Sequence, residues 1–395
     1  MIKTIQIVGN ARYGGATNLM LKWCEYLLER GHTVDVLSTD KTMVSELRKL
    51  PDIQVFDSIF IPREIRPIAD LRAFLQIYFL LLRNRYDVVH TYTETPGFLG
   101  RIAARLAGVP VIVNHQGGWP INEYSSLFER FLYTPLEYLA ILASTKNICV
   151  SHAEVHMAHK LHIAPHRKLA TIVNGINPDP FITASRNGAG KNIRTRLGID
   201  DKHCLIGSTG RLVPVKDIGT LIRSLKLLKF LVPDIPVTLL LAGAGTDQDK
   251  LENLVSSLGL TKEVRFLGFV KDISEFLAGI DIFVTTSLSE GLSISLLEAM
   301  AAARPIVASS ILPNTELIEH AVTGLIVPVK SPDKTARAIA RFIQKPDLAQ
   351  KCAKQARERI LKDYTIDRMF QETWNLYNDL LNEGKAVKLV SKQNA

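Results

Sequence analysis

The chain reads as an α/β protein built of two doubly wound, Rossmann-like domains facing across a cleft. Three observations predict this. Its 395 residues exceed the length over which one hydrophobic core usually keeps growing, so two domains are expected. Short β-branched runs alternate with longer amphipathic stretches, the pattern of parallel sheets covered by helices. The alternation also occurs twice, on either side of a polar, glycine-containing run at 184–192.

In the first half the apolar run after Met1 leads straight into Gly9, too short for a signal-peptide core, and reads as a buried strand over 5–8. A helix over 18–30 follows, with Gly31 at its C-cap position, then a strand over 33–38. Helix 68–83, strand 88–92, helix 97–107 closed by Gly108, and strand 111–114 complete the first pattern. The second half gives strand 205–208, helix 218–229, strand 237–242, helix 247–258, and strands 264–267, 282–285 and 306–308. The predicted division is an N-terminal domain over 1–180, a flexible linker over 181–200 and a C-terminal domain over 201–365. A last helix over 366–381 packs back across both halves, and the aperiodic tail from Gly384 frays.

Hydrophobic residues make up 47% and charged residues 22% of the chain, which places it among globular proteins. Cys24, Cys149, Cys204 and Cys352 lie far apart and form no CxxC pair, so reduced thiols are expected rather than a zinc ribbon or disulfide framework. No apolar run reaches the roughly 18 to 20 residues of a spanning helix, and a cytoplasmic protein, soluble or peripheral, is expected. The net charge of +9 favours anionic partners, but the basic excess is dispersed and carries no nucleic-acid reading module, so no nucleic acid is expected.

The strongest chemical signal is the run from Ser287 to Glu298, which follows a strand and opens a helix. Ligands of doubly wound sheets bind at such strand ends. Backbone N–H groups of Gly291, Leu292 and Ser293 at the helix start suit a diphosphate or a sugar oxygen. Glu290 and Glu298, eight positions apart, would share one helical face and offer two carboxylates to sugar hydroxyls; the bland alternative is a capping glutamate and a solvated one. Arg211 and Lys216 follow the first strand of the second domain, where fixed cations suit a leaving diphosphate. Gly14 and Gly15 follow the first strand of the first domain and permit close backbone approach, although an ordinary tight turn would also explain them.

Taken together, these landmarks resemble the family 4 retaining glycosyltransferases of the GT-B fold, similar to those that build exopolysaccharides and lipid-linked oligosaccharides. The resemblance runs over almost the whole chain through Gly14-Gly15, Val173 to Ile176, Gly210-Arg211-Leu212 with Lys216, Leu241 to Gly245, Phe266 to Gly268 and Glu290 to Glu298. It implies transfer of a hexose or N-acetylhexosamine from a nucleotide diphosphate sugar, a UDP-sugar being favoured, to a saccharide acceptor, polyprenyl-diphosphate-linked, in cell-surface polysaccharide synthesis. It implies that Arg211 and Lys216 hold the diphosphate with no metal or other cofactor, that Glu290 contacts the donor sugar and Glu298 the ribose, and that Phe269 and Val270 lie by the base. Gly14, Gly15 and Gly210 join the donor site. Asp217 stands where many relatives have glycine after the lysine.

Where many such relatives carry His-Gly, this chain has His115-Gln116-Gly117-Gly118-Trp119-Pro120, so Gly117 takes the histidine's place. In an extended segment His115 and residue 117 face the same side, which makes His115 the candidate catalytic histidine, with Gly117, Gly118 and Trp119 at the acceptor. His152, His156, His159 and His162 with Glu154 lie on a helix after Ser151, but the spacing is not His-Glu-x-x-His, and a solvated face is expected rather than a metal site. Arg63, Arg66, Arg72, Arg83 and Arg85, interleaved with Phe74, Ile77, Tyr78 and Phe79 and opposed only by Glu64 and Asp70, read either as a surface for anionic lipid or as a core-facing helix with arginine ends. The rival functions are a sugar-nucleotide 2-epimerase of the same fold and a non-catalytic glycosyltransferase-like subunit. A dehydrogenase is disfavoured because the turn from Gly9 to Gly15 lacks GxGxxG spacing.

Overall fold

A computed structural model describes residues 1–395 apart from 12–13, 63–65, 94, 122–124, 201 and 394–395, with side chains described as far as residue 384. Arg63 and Glu64 of the basic segment therefore lie outside the described residues. The chain divides into two units, Met1–Val173 with Asp367–Ala395, and Asn174–Ile366.

The first unit runs β1 (Lys3–Gly9), α1 (Gly15–Glu29), β2 (Thr33–Ser38), α2 (Lys41–Leu47), β3 (Gln54–Phe56), α3 (Pro67–Asn84), β4 (Val88–Tyr92), α4 (Thr95–Leu106), β5 (Val111–Gln116), α5 (Leu127–Ala143), β6 (Lys146–Cys149), α6 (His152–Lys160) and β7 (Leu169–Thr171). Its parallel sheet has the order β3-β2-β1-β4-β5-β6-β7. The central strands β1 and β4 bury residues on both faces, which is why they read as continuous apolar runs rather than alternating ones. Ile5, Ile7, Leu37 and Val89 join Ala73, Ile77 and Leu81 of α3 and Ala103 and Ala104 of α4 in one core cluster. A buried ion pair fixes α4 on α5: Arg101 donates to both carboxylate oxygens of Glu137, at 2.9 and 3.3 Å, and to Asn147 of β6 at 3.3 Å.

The second unit begins with α7 (Asp179–Arg186) and α8 (Ala189–Leu197). It continues through β8 (Cys204–Thr209), α9 (Ile218–Leu231), β9 (Val237–Ala242), α10 (Gln248–Ser257), β10 (Val264–Gly268), α11 (Ile273–Gly279) and β11 (Ile282–Thr285). Then come α12 (Ile294–Ala301), β12 (Ile306–Ser309), α13 (Leu312–Leu317), β13 (Leu325–Val327), α14 (Pro332–Gln344) and α15 (Pro346–Asp363). Its parallel sheet has the order β10-β9-β8-β11-β12-β13, with the order reversing at β8, so the loops after β8 and β11 flank a topological switch point.

The expected flexible linker over 181–200 is instead helical and belongs to the second unit as α7 and α8. The glycine that suggested flexibility serves packing. A Cβ on Gly190 would stand 2.3 Å from the Ala278 carbonyl oxygen, so α8 can press against α11 only because that side chain is missing. The last helix, α16 (Ile366–Gln393), contributes Tyr377, which is fully buried in the first unit. Helical geometry continues past residue 381, where the apolar periodicity ends. No helix among the described residues is long and apolar enough to cross a membrane.

Candidate active site

In the second unit the loop after β11 does not open directly into a helix. Helix α12 starts at Ile294 with Ser293 as its N-cap, and Glu290 to Leu292 belong to the preceding loop. Glu290 and Glu298 therefore do not share a helical face. The loop is tied elsewhere: Leu288 N–H donates to the Val215 carbonyl at 2.8 Å, and Thr286 Oγ1 donates to the carbonyls of Lys216 and Asp217 at 3.2 and 2.9 Å. These bonds clamp the loop after β11 onto the short helical turn at Pro214–Lys216.

That clamp brings Lys216 and Glu290 together. Lys216 Nζ donates to Glu290 Oε1 at 2.5 Å, and Ser287 Oγ donates to the same oxygen at 2.7 Å. Ser287 is in turn buried, its carbonyl accepting from Ser309 Oγ at 2.6 Å, while Asn314 Nδ2 donates to the Ser309 carbonyl at 3.0 Å. A hydrogen-bonded floor thus holds the carboxylate from below; Ser287 opens the run singled out in the sequence, whereas Ser309 and Asn314 carry no motif that would mark them.

Arg211 is exposed and forms no ion pair among the described residues. Its backbone position depends on the glycines around it. Gly210 has φ +134° and Gly243 φ +155°, and a Cβ on Gly243 would lie 1.8 Å from the Gly210 carbonyl oxygen. A Cβ on Gly245 would lie 2.1 Å from the Leu212 carbonyl oxygen. The loops after β8 and β9 run backbone to backbone, Leu212 N–H donating to the Ala244 carbonyl at 3.1 Å. Asp217 has φ +44°, the left-handed region that favours glycine, and its carboxylate accepts from Thr220 Oγ1 at 2.7 Å.

Glu298 sits on α12 among buried Leu297 and Ala299. Desolvation pushes its carboxyl up to about 8, and it has no hydrogen bond or ion pair among the described residues. Phe269 is 67% exposed beyond Gly268, whose φ is +65°. A separate concavity in this unit, lined by Asp281, Arg304, Pro305 and Arg357 near the N-terminal ends of β8, β11 and β12, contains none of these residues.

In the first unit Gly14 is the extended N-cap of α1 and its N–H donates to Thr17 Oγ1 at 2.8 Å, with Gly15 opening the helix. Strand β5 runs to Gln116, longer than expected, so His115 is a strand residue paired with Tyr92 of β4, and Gly117 lies just beyond it. The His115 ring is 5.5 Å from that of Tyr92 and 6.0 Å from that of His90. His90 is buried, its Nδ1 2.6 Å from the Tyr377 hydroxyl, and desolvation with the nearby His115 holds it well below the ordinary imidazole range. The sequence reading missed His90 because its partner lies 287 residues away on the last helix. Gly118 has φ +127°, whereas nothing crowds a Cβ at Gly117. The Trp119 indole N–H is directed inward to the Glu154 carbonyl at 2.9 Å. Helix α6 starts at the Ser151 cap, whose Oγ accepts from Glu154 N–H at 3.2 Å; among the described residues no group of three or more His, Cys, Asp or Glu could hold a metal ion.

Two parallel α/β units, the second with Lys216 and Glu290 clamped together at the switch point of its sheet and Arg211 following β8, have the architecture of the GT-B glycosyltransferases. Residues 13–180 match the family described as Glycosyltransferase Family 4, and residues 190–359 match Glycosyl transferases group 1. The chain is a family 4 glycosyltransferase. It is 29% identical over 331 residues to the UDP-Gal:alpha-D-GlcNAc-diphosphoundecaprenol alpha-1,3-galactosyltransferase of Escherichia coli, covering 82% of this chain and 84% of that one. It is 23% identical to the capsular polysaccharide biosynthesis glycosyltransferase CapM of Staphylococcus aureus, covering 93% and 95%. Among solved structures it is similar to Anabaena HepE in complex with UDP-glucose, with a TM-score of 0.81 at 21% identity over 96% of this chain and all of that one.

Proposed function

We propose that the protein transfers a hexose or N-acetylhexosamine, with retention of configuration, from a UDP-sugar to a polyprenyl-diphosphate-linked saccharide in cell-surface polysaccharide synthesis. The reaction takes place at the inner face of the cytoplasmic membrane. The observation that carries this is the constellation of Arg211, Lys216 and Glu290 at the switch point of the second sheet. The Escherichia coli relative, whose name specifies a UDP-sugar and a diphosphoundecaprenol acceptor, supports the substrate class.

In this proposal Arg211 and Lys216 stabilise the charge that develops on the diphosphate, with the N–H groups of Gly291, Leu292 and Ser293 and the open backbone at Gly210 completing the cradle. Their fixed positive charge does the work that a divalent cation would do, and transfer needs no metal. Both hydrogen bonds to Glu290 fall on Oε1, which leaves Oε2 for a donor-sugar hydroxyl. Glu298 accepts from the ribose, Phe269 and Val270 lie by the base, and Gly14 and Gly15 are assigned to the donor. Gly117, Gly118 and Trp119 belong to the acceptor side, with His115 facing it. The acceptor oxygen attacks the anomeric carbon from the face the diphosphate leaves. The carbon–oxygen bond to the diphosphate breaks with its electron pair on the phosphate oxygen, and that oxygen takes the acceptor proton.

The test is nucleotide release from a panel of UDP-, GDP- and ADP-sugars with polyprenyl-linked acceptors, with and without a chelator, and the anomeric configuration of the product read by NMR. Arg211→Ala removes a charge-stabilising group and should lower turnover about 10²- to 10³-fold, and Glu290→Gln, which removes the carboxylate that accepts from the donor sugar, should lower it as well. Release that survives both substitutions overturns the site, and epimerised nucleotide sugar without transfer overturns the reaction.

A further inference from the structure

Helix α5 is apolar on two opposite faces. Its inner face buries Ala140 and Ile141, and its rotation is fixed by Glu137, held against Arg101 of α4. Its outer face exposes Leu127, Phe128, Phe131, Tyr138, Leu139 and Leu142, from 40% for Leu142 to 85% for Leu127. At about 100° per residue these positions form one unbroken band, roughly 140° wide, that also takes in Leu132 and Pro135. An exposed apolar band of this extent marks an interaction surface. The exposed acid of the first turn, Glu129, lies off the band, and its carboxylate is engaged by Ser126.

Cations gather at the other end of the helix. Lys168 Nζ donates to the carbonyls of Leu142 and Ser144, Lys146 Nζ donates to the Arg167 carbonyl, and Arg105 closes α4. Desolvation, then Arg105, Arg167 and Lys146, hold the Lys168 ammonium below its usual range, so these four charges share one neighbourhood. Helix α4 packs against both α5 and α3, and α3 also turns Ile68, Leu71, Leu75 and Phe79 outward, with Ala73, Ile77 and Leu81 buried. Helix α3 thus has the core-facing side that one reading of the basic segment expected and an exposed apolar side opposite it, while α5 carries the larger exposed aromatics.

An apolar band whose only polar side-chain group is the Tyr138 hydroxyl, ending in clustered cations, complements an acyl layer capped by anionic phosphates. We infer that the outer band of α5, with Arg105, Lys146, Arg167 and Lys168 at its end, seats the protein on an anionic bilayer surface, Phe128 and Phe131 entering the acyl region. The inference is independent of which donor or acceptor the enzyme uses.

The experiment is co-sedimentation of the full chain with vesicles of phosphatidylcholine alone and of equal parts phosphatidylcholine and phosphatidylglycerol, without substrate. The protein should prefer the anionic vesicles and be released by salt. The exposed triple substitution Phe128→Ser, Phe131→Ser, Leu139→Ser should weaken vesicle binding at least about tenfold while UDP affinity, read by calorimetry, is unchanged. Arg105→Ala with Arg167→Ala should weaken binding to anionic vesicles and flatten its salt dependence. Phe131→Trp, which keeps the band apolar, should shift its fluorescence to the blue on binding and be quenched by brominated lipid. Undiminished binding of the triple variant, binding to neutral vesicles that is equal and insensitive to salt, or a Phe131→Trp fluorescence that brominated lipid leaves unquenched each overturns the inference. A wild type that ignores both vesicles but dimerises through the band overturns it in favour of a second copy of the chain.

Discussion

Replacing Glu298 with glutamine removes a carboxyl that desolvation pushes up from 4.5 to about 8. Because the folded value lies above the unfolded one, the folded chain holds this proton more tightly. The stability so gained is complete below pH 4.5 and is lost as pH rises through about 8. A displacement from 4.5 to about 8 corresponds to at most about 5 kcal/mol. The residue is only half-buried, so solvent screening reduces the expected loss to about 1–2 kcal/mol. With the ribose contact proposed above, the same carboxyl should couple UDP binding to pH, since a hydroxyl donates best to its ionised form. If only that form binds, affinity gains up to about tenfold per pH unit below the pKa. Calorimetric titration of UDP into wild type and Glu298→Gln at two pH values reads the effect, because the ratio of the two Kd values cancels the titration of UDP itself. Between about pH 6 and about pH 8.5 that ratio should change at least about tenfold in favour of the wild type at high pH. A ratio constant with pH, or a variant that binds UDP as tightly as the wild type, refutes the reasoning.

Gly243→Ala forces a Cβ to 1.8 Å from the Gly210 carbonyl oxygen, and should cost about 3 kcal/mol or more or prevent folding of the second unit, measured by urea denaturation. Asp217→Gly relieves a left-handed residue and should be neutral to stabilising by up to about 1 kcal/mol, whereas Asp217→Val should destabilise; a stable valine variant contradicts the backbone argument. Arg101→Met strands the buried Glu137 carboxylate and should cost about 3–5 kcal/mol, while Arg101→Met with Glu137→Met should recover most of it; equal losses in the single and double variants contradict the ion-pair account.

The sequence by itself determined the architecture. Alternating β-branched and amphipathic runs specify strand and helix locally, because each period places apolar side chains on one face of one element. Strands β1, β2, β4, β8, β9 and β11 lie where those runs fall. Short elements escaped: β3, β7 and β13 have three residues each, too few to display a period. The candidate site was proposed from residue types, Arg211, Lys216, Glu290 and Glu298, since diphosphate chemistry calls for cations and carboxylates at strand ends. Their arrangement was not legible. That Glu290 is bound to Lys216 and belongs to a loop ahead of α12 follows from hydrogen bonds between segments some 70 residues apart, and no local pattern encodes those. The linker run was misread for the same reason: Gly190 read as part of a flexible connection until α11 stood beside it. Apolar residues on α5 likewise gave no hint of their direction. Leu and Tyr occur on both of its faces, and packing against α4, with the buried Arg101–Glu137 pair, decided which were covered and which remained exposed.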